Sequence, residues 1–249
     1  MTCVLREMGD SVPKMNLTNE IDVWMLSTNQ SAETQLAAEK CLEDGEITQA
    51  AKFLRPELRT RFILRRAGMR QVLARYLGLA PGDLRFEYSL LGKPKLASRN
   101  EIDLQFNMSH SGEWAAIAVC VGSRIGIDIE RVRKVENAAG IVERFYSPEE
   151  WLFFSKLSEC EKDKVFLKTW TCKEAYIKAT GEGLSFPLDR VEICVESAAS
   201  PPSLKTIHGR PGEPSNWSLI ELIPNPNWVG AIVVEGGQQT VRFNTFEFH

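Results

Sequence analysis

Histidine is scarce in this sequence. Three occur in 249 residues, His110, His208 and His249, too few to build a histidine-based metal centre. The six cysteines (Cys3, Cys41, Cys120, Cys160, Cys172, Cys194) are scattered, with no CxxC pair and no histidine near them. Zinc-holding spacings are therefore missing, and a reducing cytoplasm is the natural compartment. No apolar run approaches the roughly 18 to 20 residues that span a bilayer, so no membrane partner is expected. Met1-Thr2-Cys3-Val4-Leu5-Arg6-Glu7 carries acid early and lacks an apolar h-region, so it does not read as a signal peptide. A GxxxxGK-S/T loop, a GxGxxG fingerprint and a GxSxG elbow are all absent, which removes P-loop, Rossmann and Ser-His-Asp hydrolase readings.

What is present is ordinary soluble globular composition, 43% hydrophobic and 25% charged. The length fits one large domain or two halves of about 100 to 150 residues. A net charge of -3 gives no sign of a nucleic-acid partner. The charge is uneven, however. Between Lys52 and Arg75 lie Arg55, Arg59, Arg61, Arg65, Arg66 and Arg70, against the single acid Glu57. Phe62, Ile63, Met69, Leu73, Tyr76 and Leu77 recur there at helical spacing. The stretch predicts an amphipathic helix with a basic exposed face, either merely solvated or a docking surface for an acidic partner or phosphate-rich ligand.

Pattern and breakers place the remaining elements. Strands are expected at Ile21–Leu26, Leu84–Leu90, Leu104–Met108 and Trp114–Val121. A helical region covers Ala32–Glu43, the basic helix Pro56–Leu79, and a turn Leu91–Pro94. The second half opens near Gly122-Ser123. It carries helices at Glu136–Phe145, at Pro148–Leu157 (Ser147 as N-cap with Glu150 three residues on) and at Glu161–Thr180, which stops at Gly181. Strands at Arg190–Val195, Trp217–Leu222 and Trp228–Val234 close the chain, with Ser197–Ser215 expected as a mobile loop by its Pro, Ser and Gly content. The pattern is α/β (α+β): two similar halves, 1–122 and 123–249, in a pseudo-twofold arrangement. Each is a small, mostly antiparallel sheet packed with one main helix.

Three elements carry candidate chemistry. In Ile125-Gly126-Ile127-Asp128-Ile129-Glu130, isoleucine alternates with Gly126, Asp128 and Glu130. A strand there has one apolar face and one face with two carboxylates. Those suit a hard cation such as Mg2+, or else form a plain solvated acidic face. Gly126 marks close approach by a ligand or by backbone. In Trp170-Thr171-Cys172-Lys173-Glu174-Ala175-Tyr176-Ile177-Lys178, Glu174 and Lys178 are i,i+4. They form a surface ion pair, or else an acid on a buried aromatic helix that needs a cation. Phe106-Asn107-Met108-Ser109-His110-Ser111-Gly112 puts a histidine between serines at a strand end, to bind phosphate, to move a proton or to cap a turn.

Taken in order, Gly92-Lys93-Pro94, Phe106 to Ser111, Ile125 to Glu130 and Trp170 to Lys178 resemble the 4'-phosphopantetheinyl transferases of the larger, surfactin-synthetase-activating type. That family's pattern is a GKP turn, FNxSHS, an I/V-G-I/V-D-I/V-E strand and W-x-x-K-E-A-x-x-K. Arg144-Phe145-Tyr146-Ser147 with Glu150, and Gly183 to Leu188, also match, so the resemblance runs from about Arg61 to Leu188.

The resemblance implies that a serine of an apo carrier protein attacks the β-phosphate of coenzyme A. The phosphopantetheine arm moves to that serine and adenosine 3',5'-bisphosphate leaves. It implies Mg2+ on Asp128, Glu130 and Glu174, with Glu174 taking the serine proton and Lys178 offsetting phosphate charge. His110 contacts a phosphate oxygen, Lys93, Asn107 and Ser109 help hold the nucleotide, and the Gly92 to Pro94 backbone lines the adenine pocket. Trp170 is read as packing. The family's basic residues ahead of the basic helix are not matched around Glu46 to Gln49; Arg61 is the better candidate for the 3'-phosphate and Arg66 a weaker one. The acidic carrier is expected to dock beside Arg65, Arg66 and Arg70, on a monomer. Two rival readings are a metal-dependent phosphodiesterase acting on coenzyme A-like nucleotides and a silent carrier-binding module.

Overall fold

A computed structural model describes residues 19–97, 102–237 and 239–248, apart from the side chain of Leu184. The readings of Met1–Glu7, Cys3 and His249 lie outside them. In chain order the elements run β1 (Glu20–Ser27), α1 (Ala32–Glu39), α2 (Asp44–Ala50), α3 (Pro56–Leu77), β2 (Phe86–Tyr88), β3 (Pro94–Leu96), β4 (Leu104–Ser111) and β5 (Trp114–Val121). Then come β6 (Ile125–Arg131), α4 (Ala138–Phe145), α5 (Pro148–Ser155) and α6 (Glu159–Thr180). The chain finishes with β7 (Val191–Cys194), β8 (Ser203–Ile207), β9 (Trp217–Leu222), β10 (Trp228–Glu235) and β11 (Thr240–Phe246). The helix expected at Ala32–Glu43 is α1, which stops at Glu39, and α2 is a further helix, unforeseen, that the Glu43–Glu46 capping box starts. The Ser197–Ser215 loop contains β8, which pairs with β7.

The described residues divide into two units: those within 19–88, 94–122 and 240–248, and those within 89–93 and 123–239. In the first unit the sheet order is β11-β1-β5-β4. β1 lies parallel to β11 and antiparallel to β5. α3 starts with Pro56 in its first turn and stops at Gly78, whose left-handed conformation (φ 64°) suits glycine. Its apolar stripe, Met69, Val72 and Leu73, packs with Trp24, Leu26, Ile117, Val119 and Phe246. Inside that layer Asp22 accepts from the Tyr76 hydroxyl (2.6 Å) and from Arg242 Nε (2.7 Å).

Arg70 corrects the reading of the basic face. It is 0% exposed, with Nε on Glu46 (2.7 Å), Nη2 on Glu43 (3.1 Å) and Nη1 on the carbonyls of Pro81 and Leu84. Its position beside Met69 puts it on the buried side of α3, where acids of the α2 segment compensate its charge. It is therefore no part of a docking face. Arg65 and Arg66 are half-buried. Burial and the neighbouring Arg61 and Arg66 push the Arg65 guanidinium down to about 10.

In the second unit the sheet order is β6-β10-β9, and α6 runs along β6 and β10. α6 begins at a Ser158–Glu161 capping box and ends at Gly181, again left-handed (φ 77°). Cys172, Ala175, Tyr176 and Ile177 of α6 share a core with Val191, Ile193, Trp217, Ala231 and Val233. Trp170 stacks on Phe166 and meets Phe145 edge-on, so it packs as expected. Each unit thus carries a 22-residue helix and a small sheet. The architecture is α+β.

Candidate active site

The strand β6 is buried on both faces. Ile125, Ile127 and Ile129 are fully covered, and Asp128 is only 6% exposed, so the reading of a solvated acidic face does not hold. Gly126 explains what covers the acid side. A Cβ there would meet the carbonyl oxygen of Ala175 and the backbone nitrogen of Ala179, so α6 is seated directly on the strand. The close approach foreseen at this glycine is backbone, not ligand.

That seating brings four of the candidate residues together. Lys178 Nζ lies 2.6 Å from Asp128 Oδ1 and also donates to the carbonyl of Ile127 at 3.3 Å. One turn earlier, Glu174 stands close enough to both acids of β6 to feel them. Its carboxyl is pushed above the usual carboxylate range, first by burial, then by Asp128 and to a smaller extent by Glu130, against the lowering pull of Lys178. A helix surface ion pair alone would not show this. The arrangement is three like-charged carboxylates on one strand–helix junction, with Lys178 in contact with Asp128.

Three carboxylates are the oxygen-donor set that suits Mg2+, and a divalent cation there would relieve the repulsion that raises Glu174. Among the described residues no three His, Cys, Asp or Glu side chains are gathered tightly enough to hold a metal as they stand. Asp128 is turned to Lys178 instead. The residue types fit the cation, provided Lys178 yields Asp128 to it.

Lys93 belongs to the same unit. Its ammonium donates to the carbonyls of Ile125 (3.2 Å) and Ala179 (3.3 Å) and to that of Lys178. It caps the C-terminal end of α6, where a cation is favoured. Gly92 has φ +81° in the Ser89–Lys93 turn, held by Ser89 Oγ accepting from Lys93 N at 3.0 Å. Pro94 begins β3.

The other candidates belong to the first unit. Asn107 and Ser109 are buried on β4, and His110 is exposed at its end, opposite Ala115. Arg61 lies on α3 with Nη2 3.7 Å from Glu113. A cavity of about 220 Å³ opens elsewhere in the second unit, lined by Phe153, Phe154, Val165, Ile193 and Val195, and takes in none of these residues. Lys173, inside the quoted helix motif yet given no role from sequence, is wholly buried and bonded to Glu150 at 2.7 Å. Its signal was faint: a lysine on an otherwise aromatic, buried helix face.

Comparison with known proteins adds independent findings. A family model described as "4'-phosphopantetheinyl transferase superfamily" matches residues 124–233, and one described as "4'-phosphopantetheinyl transferase, N-terminal" matches residues 27–122. The chain is 37% identical over 221 residues to the 4'-phosphopantetheinyl transferase HetI of Nostoc sp., covering 88% of this chain and 90% of that protein. It is 34% identical over 154 residues to the 4'-phosphopantetheinyl transferase Sfp of Bacillus subtilis, covering 58% of this chain and 66% of that one. Both family models and a relative aligned over most of the chain agree, so the chain belongs to the 4'-phosphopantetheinyl transferase family.

Proposed function

We propose that this chain transfers the 4'-phosphopantetheine arm of coenzyme A to a serine of an apo carrier protein, with Mg2+, releasing adenosine 3',5'-bisphosphate. The observation that carries the reading is the gathering of Asp128, Glu130 and a half-buried Glu174 at one strand–helix junction, with Lys178 one turn on and bonded to Asp128. A carboxylate is a residue type that serves as general base. Glu174 takes the proton of the carrier serine as its Oγ bonds to the β-phosphorus. The bond from that phosphorus to the bridging oxygen breaks, and adenosine 3',5'-bisphosphate departs with the electron pair. Asp128, Glu130 and Glu174 are the donors for Mg2+, whose chemistry there is to neutralise the pyrophosphate and polarise the phosphorus. Lys178 offsets charge on the phosphate oxygens.

For coenzyme A we further propose contacts from Arg61, Asn107, Ser109 and His110, and from the Gly92–Pro94 main chain. The Lys93 ammonium is engaged by carbonyls of β6 and α6, which favours its backbone over its side chain in that role. Carrier docking is assigned to Arg65 and Arg66 without Arg70. The Arg65 guanidinium, lowered first by burial and then by Arg61 and Arg66, supports this, because an acidic partner relieves the part due to like charge. Among the described residues no helix is long and apolar enough to cross a membrane. The reading is of a monomer working in the cytoplasm.

The test is incubation of the chain with coenzyme A, Mg2+ and a panel of apo carriers, read by intact mass. A carrier that gains the phosphopantetheine mass supports the reading. No gain on any carrier sinks it, and release of phosphopantetheine without a carrier would point to hydrolysis.

A further inference from the structure

The residue just before Glu174 has no exposed surface. The Lys173 ammonium donates to Glu150 Oε2 (2.7 Å), to the Leu188 carbonyl (3.0 Å) and to the Val191 carbonyl, with the Tyr146 ring 5.0 Å away. Glu150 in turn accepts from the backbone nitrogens of Ser147 (2.7 Å) and Ile193 (2.8 Å). One buried ion pair therefore ties α6 to the start of α5, to the turn before β7 and to β7 itself.

A buried ion pair is a poor source of stability, since apolar residues of equal volume often serve as well or better. What it supplies is direction. Successive helix residues point about 100° apart. The Lys173 anchor and the Glu174 carboxyl are thus neighbouring spokes of one helix, and fixing the first fixes the second. A side chain reaches about 5 to 6 Å from the helix axis, so a 20° roll of α6 would carry the Glu174 carboxyl by about 2 Å. Gly126 limits how near α6 comes to β6, but a seat on a glycine does not by itself prevent rolling.

We propose that Lys173 is a positioning residue: by bonding Glu150 and the carbonyls of Leu188 and Val191, it sets the roll of α6 and so the place of Glu174 over β6. This rests on the role given to Glu174 above. Displacing a reacting group by about 1 Å can cost on the order of 100-fold in rate.

The experiment compares the full chain, Lys173→Met and Val142→Ala, a change that removes buried packing on α4 without removing a bond to α6. kcat and the KM for coenzyme A are measured per folded molecule, well below each melting temperature. Lys173→Met should lose about tenfold or more in kcat with KM within about twofold, while Val142→Ala keeps its kcat. A Lys173→Met kcat within about twofold of the parent overturns the role, as does an equal loss in Val142→Ala. If Lys173→Met does not fold, Glu150→Gln, whose one amide oxygen can serve Ser147 or Ile193 but not both, is read by the same criterion. A parent that transfers nothing overturns the function itself, and the positioning role with it.

Discussion

Replacing Gly126 by alanine tests the seat of α6 on β6 through the sign of one number. An alanine in an extended strand normally gains about 0.5 to 1 kcal/mol over glycine from reduced backbone entropy. Here the new Cβ would lie 2.1 Å from the Ala175 carbonyl oxygen, whereas ordinary contact begins near 3.4 Å. Both clashing atoms are backbone, so no side chain can turn aside. Helix and strand must part by about 1.3 Å, and overpacking of this kind costs about 1 to 3 kcal/mol. The net expectation is destabilisation, read as a lower urea midpoint with unchanged slope. The same movement lifts Glu174 and Lys178 away from Asp128. Transfer, followed by intact mass of an apo carrier at a temperature where the variant stays folded, should fall on the order of 100-fold. A Gly126→Ala chain as stable as the parent and equally active would refute the argument. It would mean that α6 is not pressed on this strand.

Other expectations follow from the same geometry. Glu174→Gln should abolish transfer while coenzyme A still binds, measured by calorimetry; full activity would exclude Glu174 as base or ligand. The folded chain holds the Glu174 proton more tightly than the unfolded chain does. Its contribution to stability therefore grows as pH falls through the raised value, while activity, which needs the carboxylate, declines. The acid limb of transfer should accordingly lie above the ordinary 4.5 at limiting Mg2+ and move down as Mg2+ rises, because cation and proton compete. A limb indifferent to Mg2+ would count against shared ligation. Arg70→Met should cost on the order of 3 to 5 kcal/mol by leaving Glu46 buried and unpaired, with the carrier KM unchanged once the chain is folded; a raised KM would return Arg70 to the docking face. Arg65→Glu should raise the carrier KM, and the parent's carrier binding should weaken with salt; indifference to both would move the docking surface elsewhere.

The parts of the site written in local pattern were legible in the sequence. Period-two alternation gave β6, and the Ser147–Glu150 spacing gave a helix start that the structure keeps. Gly181 gave the end of α6. Long-range partners were not legible. Arg70 reads as one more basic residue until Glu46, 24 positions earlier, is folded against it. Gly126 left ligand and backbone equally open, because spacing does not say what lies above a strand. β11 went unforeseen, since its partner β1 lies some 220 residues away. Lys173 had no role in the sequence reading, and only packing reveals its burial against Glu150.

The pairing of β1 with β11 has a consequence for how the chain is made. Synthesis delivers β1 near the start and its parallel partner near the end, with Asp22 waiting for Arg242 until then. All segments of the second unit are in hand by Gln239. The unit encoded later can therefore complete its sheet first, reversing the usual N-to-C order of domain folding. Until β11 arrives, one edge of β1 stays open to pairing with another chain, a known route to misassembly.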